Sequence, residues 1–103
     1  MYQLIFYVPD SHLEIVKDAI FKAGAGALGG YDLCCWQTLG MGQYRAGTNQ
    51  NPFLGEIGEL HKEKEWKVEC VVEESLIKDV INALIASHPY EVPAYFVTKN
   101  CFE

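Results

Sequence analysis

The sequence predicts one α+β domain in which strands and helices follow one another in the order β-α-β-β-α-β. Stretches rich in β-branched and aromatic residues alternate with stretches whose apolar residues recur at helical spacing, and glycines and prolines separate them. A length of 103 residues suits a single domain covering residues 1–103. This element order is the ferredoxin-like pattern, in which both helices lie on one face of an antiparallel sheet.

The first strand and helix are predicted in the N-terminal quarter of the chain. Residues 2–8 are nearly all apolar, which is typical of a central strand covered on both faces. Ser11 and Glu14 have the spacing of a capping box, and Gly24 is a natural helix stop. The residues expected to form the buried stripe of this helix are Leu13, Val16, Ile20 and Ala23.

The middle of the chain predicts a strand followed by a long loop. Residues 31–39 have strand composition, and Gly40 and Gly42 predict a bulge or bend before the extended chain continues. The segment 47–58 runs for about 12 residues and is longer than most hairpin loops, which indicates a use in binding or assembly.

The C-terminal half completes the pattern with a strand over residues 60–72, a helix that opens at 73–75 and a strand over 92–98. Trp66, Val68, Cys70 and Val72 share one face of the earlier strand. Pro89 ends the helix, because the residue before a proline disfavours helical geometry. The residues expected on the buried face of this helix are Leu76, Ile77, Val80, Ile81 and Leu84.

Composition restricts the partners. The net charge is −6, and no basic run offers a footprint for nucleic acid or an anionic membrane. No apolar stretch approaches the roughly 18 residues of a membrane span. The start of the chain does not resemble a signal peptide, so we expect a cytoplasmic protein. The strands are apolar on both sides, so the sheet face opposite the helices should be covered, most simply by another copy of the chain.

Two motifs are better explained by structure than by chemistry. Residues 24–29 match the pattern G-x-G-x-x-G, but they follow a predicted helix and lead into a strand, which is the reverse of a nucleotide-binding turn. The adjacent Cys34 and Cys35 would point to opposite faces of a strand, so a zinc clip is not expected. We expect the four cysteines to be structural thiols.

The segment of residues 88–91, His-Pro-Tyr-Glu, is the strongest candidate site, and we call it the HPYE segment. His88 offers a nitrogen ligand or a proton switch, Tyr90 an amphipathic ring and Glu91 a carboxylate, a set suited to a divalent metal or a small polar ligand. The alternative is that His88 caps a helix, Tyr90 packs and Glu91 is solvated. No nucleophile or acid–base set can be assembled elsewhere, so we do not expect an enzyme.

A family resemblance rests on this segment and on the glycines. Residues 88–93 are similar to the H-P-Y-E-V-P motif of CutA proteins, which are small trimeric proteins of the PII-like group associated with divalent-cation tolerance and copper binding. A fuller match is with YqfO-type CutA-like domains, which occur alone or inserted in larger dinuclear-metal proteins of the NGG-interacting-factor family. The positions that carry this fuller match are Gly24, Ala25, Gly26, Gly29, Tyr31, Cys34, residues 88–91, Pro93, Ala94 and Tyr95.

The resemblance implies a PII/CutA-like fold and a homotrimer, with a dimer as the alternative. It does not imply hydrolase-like activity, because the histidine-rich domains of the larger proteins have no counterpart here. CutA proteins often place a cysteine at the end of the first strand, where this chain has residues 6–9, Phe-Tyr-Val-Pro. If a divalent metal binds, the expected ligands are His88 and Glu91, with Cys34 as a third.

The expected function is therefore a non-enzymatic, homo-oligomeric binding or regulatory module. Its small-molecule or metal ligand would lie near His88, Tyr90 and Glu91. The alternative is a purely structural module, in which the same segment only shapes the assembly of the trimer.

Overall fold

In the computed structural model, which describes residues 1–102, a four-stranded antiparallel sheet carries two helices on one face, with strand order β2-β3-β1-β4. The strands are β1 (Tyr2–Pro9), β2 (Trp36–Arg45), β3 (Leu60–Val72) and β4 (Tyr95–Lys99), and the helices are α1 (Leu13–Lys22) and α2 (Ile77–Ser87). The predicted ferredoxin-like α+β fold is confirmed.

The core lies between the sheet and the helices. Alternate residues of β1 and β3 point to the helices, as their two-residue period requires. The fully buried side chains of this core include Leu4, Phe6, Val8, Val16, Ile20, Val68, Val80 and Leu84. Each such side chain stabilises the fold by about 1.5–3 kcal/mol. Cys70 belongs to the same core, and burial raises the pKa of its thiol to about 12.

The predicted capping box at the start of α1 is wrong. Ser11 lies within a 3-10 turn, Asp10–His12, and its hydroxyl pairs with His12 Nδ1 at 2.8 Å. The helix begins at Leu13, and no side chain caps its first turn. A capping residue must keep an extended backbone, and here the chain has already begun to coil at Asp10.

The predicted second strand begins five residues later than expected and contains no bulge. β2 starts at Trp36 and pairs residue for residue with β3, from Trp36 opposite Glu69 to Arg45 opposite Leu60. The residues before it belong to a turn, because the backbone N–H of Cys34 donates to the carbonyl of Gly26 at 2.9 Å. Gly40 and Gly42 both lie within this regular pairing, opposite Glu65 and Glu63.

In the second half of the chain, the predicted bounds of the helix and the last strand differ slightly from the observed ones. A 3-10 turn, Glu74–Leu76, precedes α2, so the α-helix itself begins at Ile77 and not at 73–75. It ends at Ser87, as Pro89 predicts. The last strand begins at Tyr95 instead of residue 92. None of the helices within residues 1–102 is both long and apolar enough to cross a lipid bilayer.

The sheet face opposite the helices is apolar at its edges and charged in its middle. One row across the four strands consists of Trp36, Glu69, Ile5 and Phe96. Trp36 is 70% exposed and Phe96 is 61% exposed. Between them, the Lys67 ammonium lies 4.0 Å from the Glu69 carboxylate. The expectation that this face is too apolar to be left in water is therefore only partly met.

Candidate functional site

A cleft of about 570 Å³ opens at the end of the sheet where β1 finishes. The connection from α2 to β4 forms one wall, and β2 together with the loop of residues 46–59, here called the cleft loop, forms the other. Tyr90 and Glu91 of the HPYE segment line this cleft. His88 is not among its lining residues.

His88 holds the backbone together behind the cleft. Its side chain is buried, with the residue only 7% exposed. Nδ1 accepts the backbone N–H of Tyr90 at 3.1 Å, so the ring proton is assigned to Nε2, which donates to the carbonyl of Tyr7 at 2.6 Å. Burial lowers the pKa of His88, and the bond to Tyr7 opposes that effect. His88 is thus a neutral positioning residue that joins the HPYE segment to β1.

Tyr90 lies between His88 and the open cleft. Its ring centroid is 4.9 Å from that of His88, and its hydroxyl donates to Glu65 Oε2 at 3.0 Å. Burial, followed by the adjacent Glu65 carboxylate, raises the pKa of the Tyr90 phenol. Tyr90 therefore remains a neutral phenol at physiological pH, and its hydroxyl proton is used in the hydrogen bond to Glu65.

Glu91 is exposed and connects the HPYE segment to the cleft loop. The backbone N–H of Asn51 donates to its carboxylate, at 3.3 Å from Oε2 and 3.5 Å from Oε1. The loop is fixed at two further points. The Tyr44 hydroxyl donates to the carbonyl of Leu54, and the Phe53 ring lies 6.5 Å from the Tyr90 ring, centroid to centroid. The loop that the sequence predicts to act in binding or assembly thus forms a fixed wall of the cleft.

Cys34 lies at the other end of the sheet. Its backbone N–H donates to the carbonyl of Gly26, and the N–H of Gly26 donates to the carbonyl of Val71. Val71 in turn pairs with Gln3, at the start of β1. His88 contacts Tyr7, four residues further along that strand, or about 13 Å away. Within residues 1–102, no group of three or more His, Cys, Asp or Glu side chains is arranged to hold a metal ion.

The three predicted metal ligands are separated from one another within a single chain. Within one chain, His88, Glu91 and Cys34 do not converge, because Cys34 belongs to the opposite end of the sheet. His88 offers no free nitrogen, since each ring nitrogen already has a backbone partner. A metal bound there would have to break one of these two bonds.

Sequence reasoning missed the residues that β2, β3 and the cleft loop contribute to the cleft. They include Tyr44, Arg45, Phe53 and Glu65. One signal was available in Gly42, which predicted a bulge. A Cβ atom on Gly42 would lie 2.6 Å from Glu65 Oε1, so glycine leaves space for that carboxylate. Glycine inside a strand marks such close approaches as well as bulges.

The electrostatic environment of the cleft is mainly negative. Glu65 and Glu91 line it, and Arg45 is the basic residue among its lining residues. Burial raises the pKa of the Tyr44 phenol, and Glu63 and Glu65 raise it further. Tyr44 and Tyr90 thus both lie in the field of β3 carboxylates.

The chain is similar to one segment of several larger known proteins. No family model matches it. It is 40% identical, over 92% of its length, to a GTP cyclohydrolase 1 type 2 homolog of Halalkalibacterium halodurans, and 43% identical, over 90%, to the one of Bacillus subtilis. A crystal structure of a Bacillus cereus protein related to NIF3 superposes on 97% of the chain with a TM-score of 0.78 and 32% identity. The chain has a CutA-like fold and is similar in sequence to one segment of these larger proteins, among them the protein related to NIF3.

This CutA-like domain corresponds to only part of those relatives. It spans about a quarter of their length: 26% and 25% of the two curated proteins and 25% of the B. cereus chain. Stand-alone CutA proteins match it more completely but more distantly. CutA1 from Pyrococcus horikoshii superposes with a TM-score of 0.69 at 18% identity, covering 98% of the domain and 84% of that protein, which shows a shared fold.

Proposed function

We propose that this CutA-like domain is a non-enzymatic, homo-oligomeric binding module whose cleft beside Tyr90 and Glu91 takes a small molecule. The cleft itself carries this proposal. Its volume of about 570 Å³ lies within the range of small-molecule sites. It combines aromatic rings, which bind without strong directionality, with two carboxylates that fix orientation.

A small organic ligand is a better occupant than a metal ion bound by His88. A metal at either ring nitrogen would displace the carbonyl of Tyr7 or the N–H of Tyr90. These bonds position the wall of the cleft, so the metal would disrupt the site. Because both ring nitrogens of His88 already bond to backbone groups, neither is free to transfer a proton. This favours a binding function over a catalytic one.

The proposed oligomer is a homotrimer, with a dimer as the alternative. Trp36 and Phe96 expose most of their surface at the two edges of the open sheet face, and a second copy would cover them. We place the module in the cytoplasm, where thiols such as that of Cys70 stay reduced. Light scattering of a trimer should give about three times the 11.6 kDa chain mass. A clean monomer would contradict the assembly.

The cleft can be tested by screening a library of aromatic fragments against ¹⁵N-labelled protein. Binding should shift the backbone amides of Tyr44, Glu65 and Glu91. These shifts should weaken in Glu91→Gln and stay unchanged in Glu73→Gln, which alters a carboxylate at the far end of β3. Shifts confined to the open sheet face, or none at all, would rule out the cleft as the binding site.

The second candidate is an assembly module with no ligand. Both His88 ring nitrogens bond to backbone, as they would if the HPYE segment only shaped the fold. This candidate predicts that Glu91→Gln reduces the mass of the assembly. The binding module predicts an unchanged mass and altered fragment binding, so light scattering of this one variant separates the two.

A further inference from the structure

We propose that the cleft selects small organic cations, in which an ammonium or amidinium group is carried on an apolar body. This inference rests on the proposed binding function and specifies its ligand class. Three features of the cleft support it: carboxylates with free acceptor capacity, two tyrosine hydroxyls that already donate to protein acceptors, and rings that face different directions.

The carboxylates keep most of their acceptor capacity. A carboxylate can accept about four hydrogen bonds. Glu65 receives one, from the Tyr90 hydroxyl, and its second oxygen, Oε1, lies against the space left by Gly42. Glu91 receives a single long bond shared between its oxygens, from the N–H of Asn51. Both groups can therefore accept further hydrogen bonds from a ligand.

Two tyrosine hydroxyls of the cleft already donate to protein acceptors. Tyr44 donates to the carbonyl of Leu54, and Tyr90 donates to Glu65. Among the described residues that line the cleft, Arg45 is the one that offers a positively charged donor to an anionic ligand, and it lies exposed at the end of β2. A cationic ligand brings its own donors, which is what a site rich in acceptors requires.

The aromatic rings can hold both parts of such a ligand. The Tyr44 and Tyr90 rings lie 6.0 Å apart at an interplanar angle of 66°, and the Phe53 and Tyr90 rings lie 6.5 Å apart at 50°. Since these planes are inclined, their faces point in different directions. A ring face attracts a cation within about 6 Å of its centroid, and the same surface packs against an apolar body.

Three probes of nearly equal shape test the charge preference: benzamidine, benzamide and benzoate. Calorimetry should show benzamidine binding about tenfold more tightly than benzamide, as expected for one charge-assisted contact, with benzoate weakest. The preference should narrow as salt is added. Glu91→Gln should reduce the ratio between benzamidine and benzamide several-fold, while Glu73→Gln should leave it unchanged.

The possible failures are distinguishable. If benzoate binds at the cleft as tightly as benzamidine, the cation preference is overturned while the binding function stands. If none of the probes shifts the amides of Tyr44, Glu65 or Glu91, the binding function fails as well. An Arg45→Gln variant gives a second measure, because it should tighten benzamidine binding a few-fold; weaker binding would contradict the charge argument.

Discussion

The two ends of the sheet are held together by different kinds of contact. At the end where β1 starts, backbone groups bond to backbone: Gly26 donates to Val71, and Cys34 donates to Gly26. At the end where β1 finishes, a side chain, His88, supplies two of the bonds to backbone. The first end is a closed turn, and the second leaves a cleft.

This difference shows why one end needs glycine and the other can carry a ligand site. Close backbone packing at the turn leaves no space for a Cβ atom. α1 ends there in a Schellman motif, with Gly24 donating to Phe21 and Ala25 donating to Ile20. At the other end, His88 joins the HPYE segment to β1, and the cleft opens beside that segment.

The largest expected effect is at the closed turn. In Gly26→Ala, the new Cβ would lie 2.8 Å from the carbonyl oxygen of Cys34 and 2.9 Å from its nitrogen, at a φ of +83°. Gly30→Ala is the matched control, because its φ is +86° and nothing lies within 4 Å. We expect the control to lose about 1 kcal/mol of unfolding free energy and Gly26→Ala about 3 kcal/mol or more. Equal losses in urea denaturation would contradict the steric explanation.

At the cleft end, His88→Ala should lower the free energy of unfolding by about 3 kcal/mol. It creates a buried space and leaves the carbonyl of Tyr7 and the N–H of Tyr90 without their partner. The neighbouring Ser87→Ala is the control, since the Ser87 hydroxyl bonds only within its own helix. A loss under 1 kcal/mol for His88→Ala in denaturant unfolding would show that His88 does not hold this end together.

The lowered pKa of His88 predicts the direction of a pH effect. Its ordinary pKa, about 6.5, applies to the unfolded chain. Below that pH the unfolded state binds the proton and the folded state does not, so stability falls as pH drops from about 6.5 toward the folded pKa. Above 6.5 this contribution is fully present. Urea midpoints between pH 7.5 and 5.5 should fall less in His88→Gln than in the wild type; equal slopes would argue against a buried neutral His88.

The smallest expected change in stability comes from alanine substitutions at Gly42 and Gly40, the two glycines of β2. Gly42→Ala should turn the Glu65 carboxylate away from Tyr90, because the new Cβ would lie 2.6 Å from Oε1. Gly40→Ala is the control, since its nearest atom lies 3.9 Å away. We expect Gly42→Ala to weaken benzamidine binding about tenfold, with under 1 kcal/mol lost in stability. Unchanged binding would mean that Glu65 does not contribute to the site.

The sequence predicted the fold better than the cleft, for physical reasons. Apolar periodicity identifies strands and helices because burial follows the same two periods, and residues such as Phe6 and Ile20 have the predicted burial. Local geometry was harder. Ser11 and Glu14 have the spacing of a capping box, but the extra turn at Asp10 removes the extended backbone that a cap needs.

Half of the cleft was predictable and half was not. Tyr90 and Glu91 lie in a short motif, so their proximity to one another follows from the sequence. Glu65 and Phe53 reach the cleft only through sheet pairing and loop closure, which no local pattern specifies. The role of His88 depends on the carbonyl of Tyr7, 81 residues away in sequence, and that contact decides between ligand and structural residue.

The HPYE segment is divided between a positioning residue, His88, and two residues that face the cleft, Tyr90 and Glu91. Long-range ¹H–¹⁵N spectra of the histidine rings, recorded at pH 7.5 with and without zinc, test this division most directly. We predict that His88 is a neutral ring protonated at Nε2 and that zinc leaves both its nitrogen resonances in place. A zinc-dependent shift of either His88 nitrogen, or a ring protonated at Nδ1, would contradict this account.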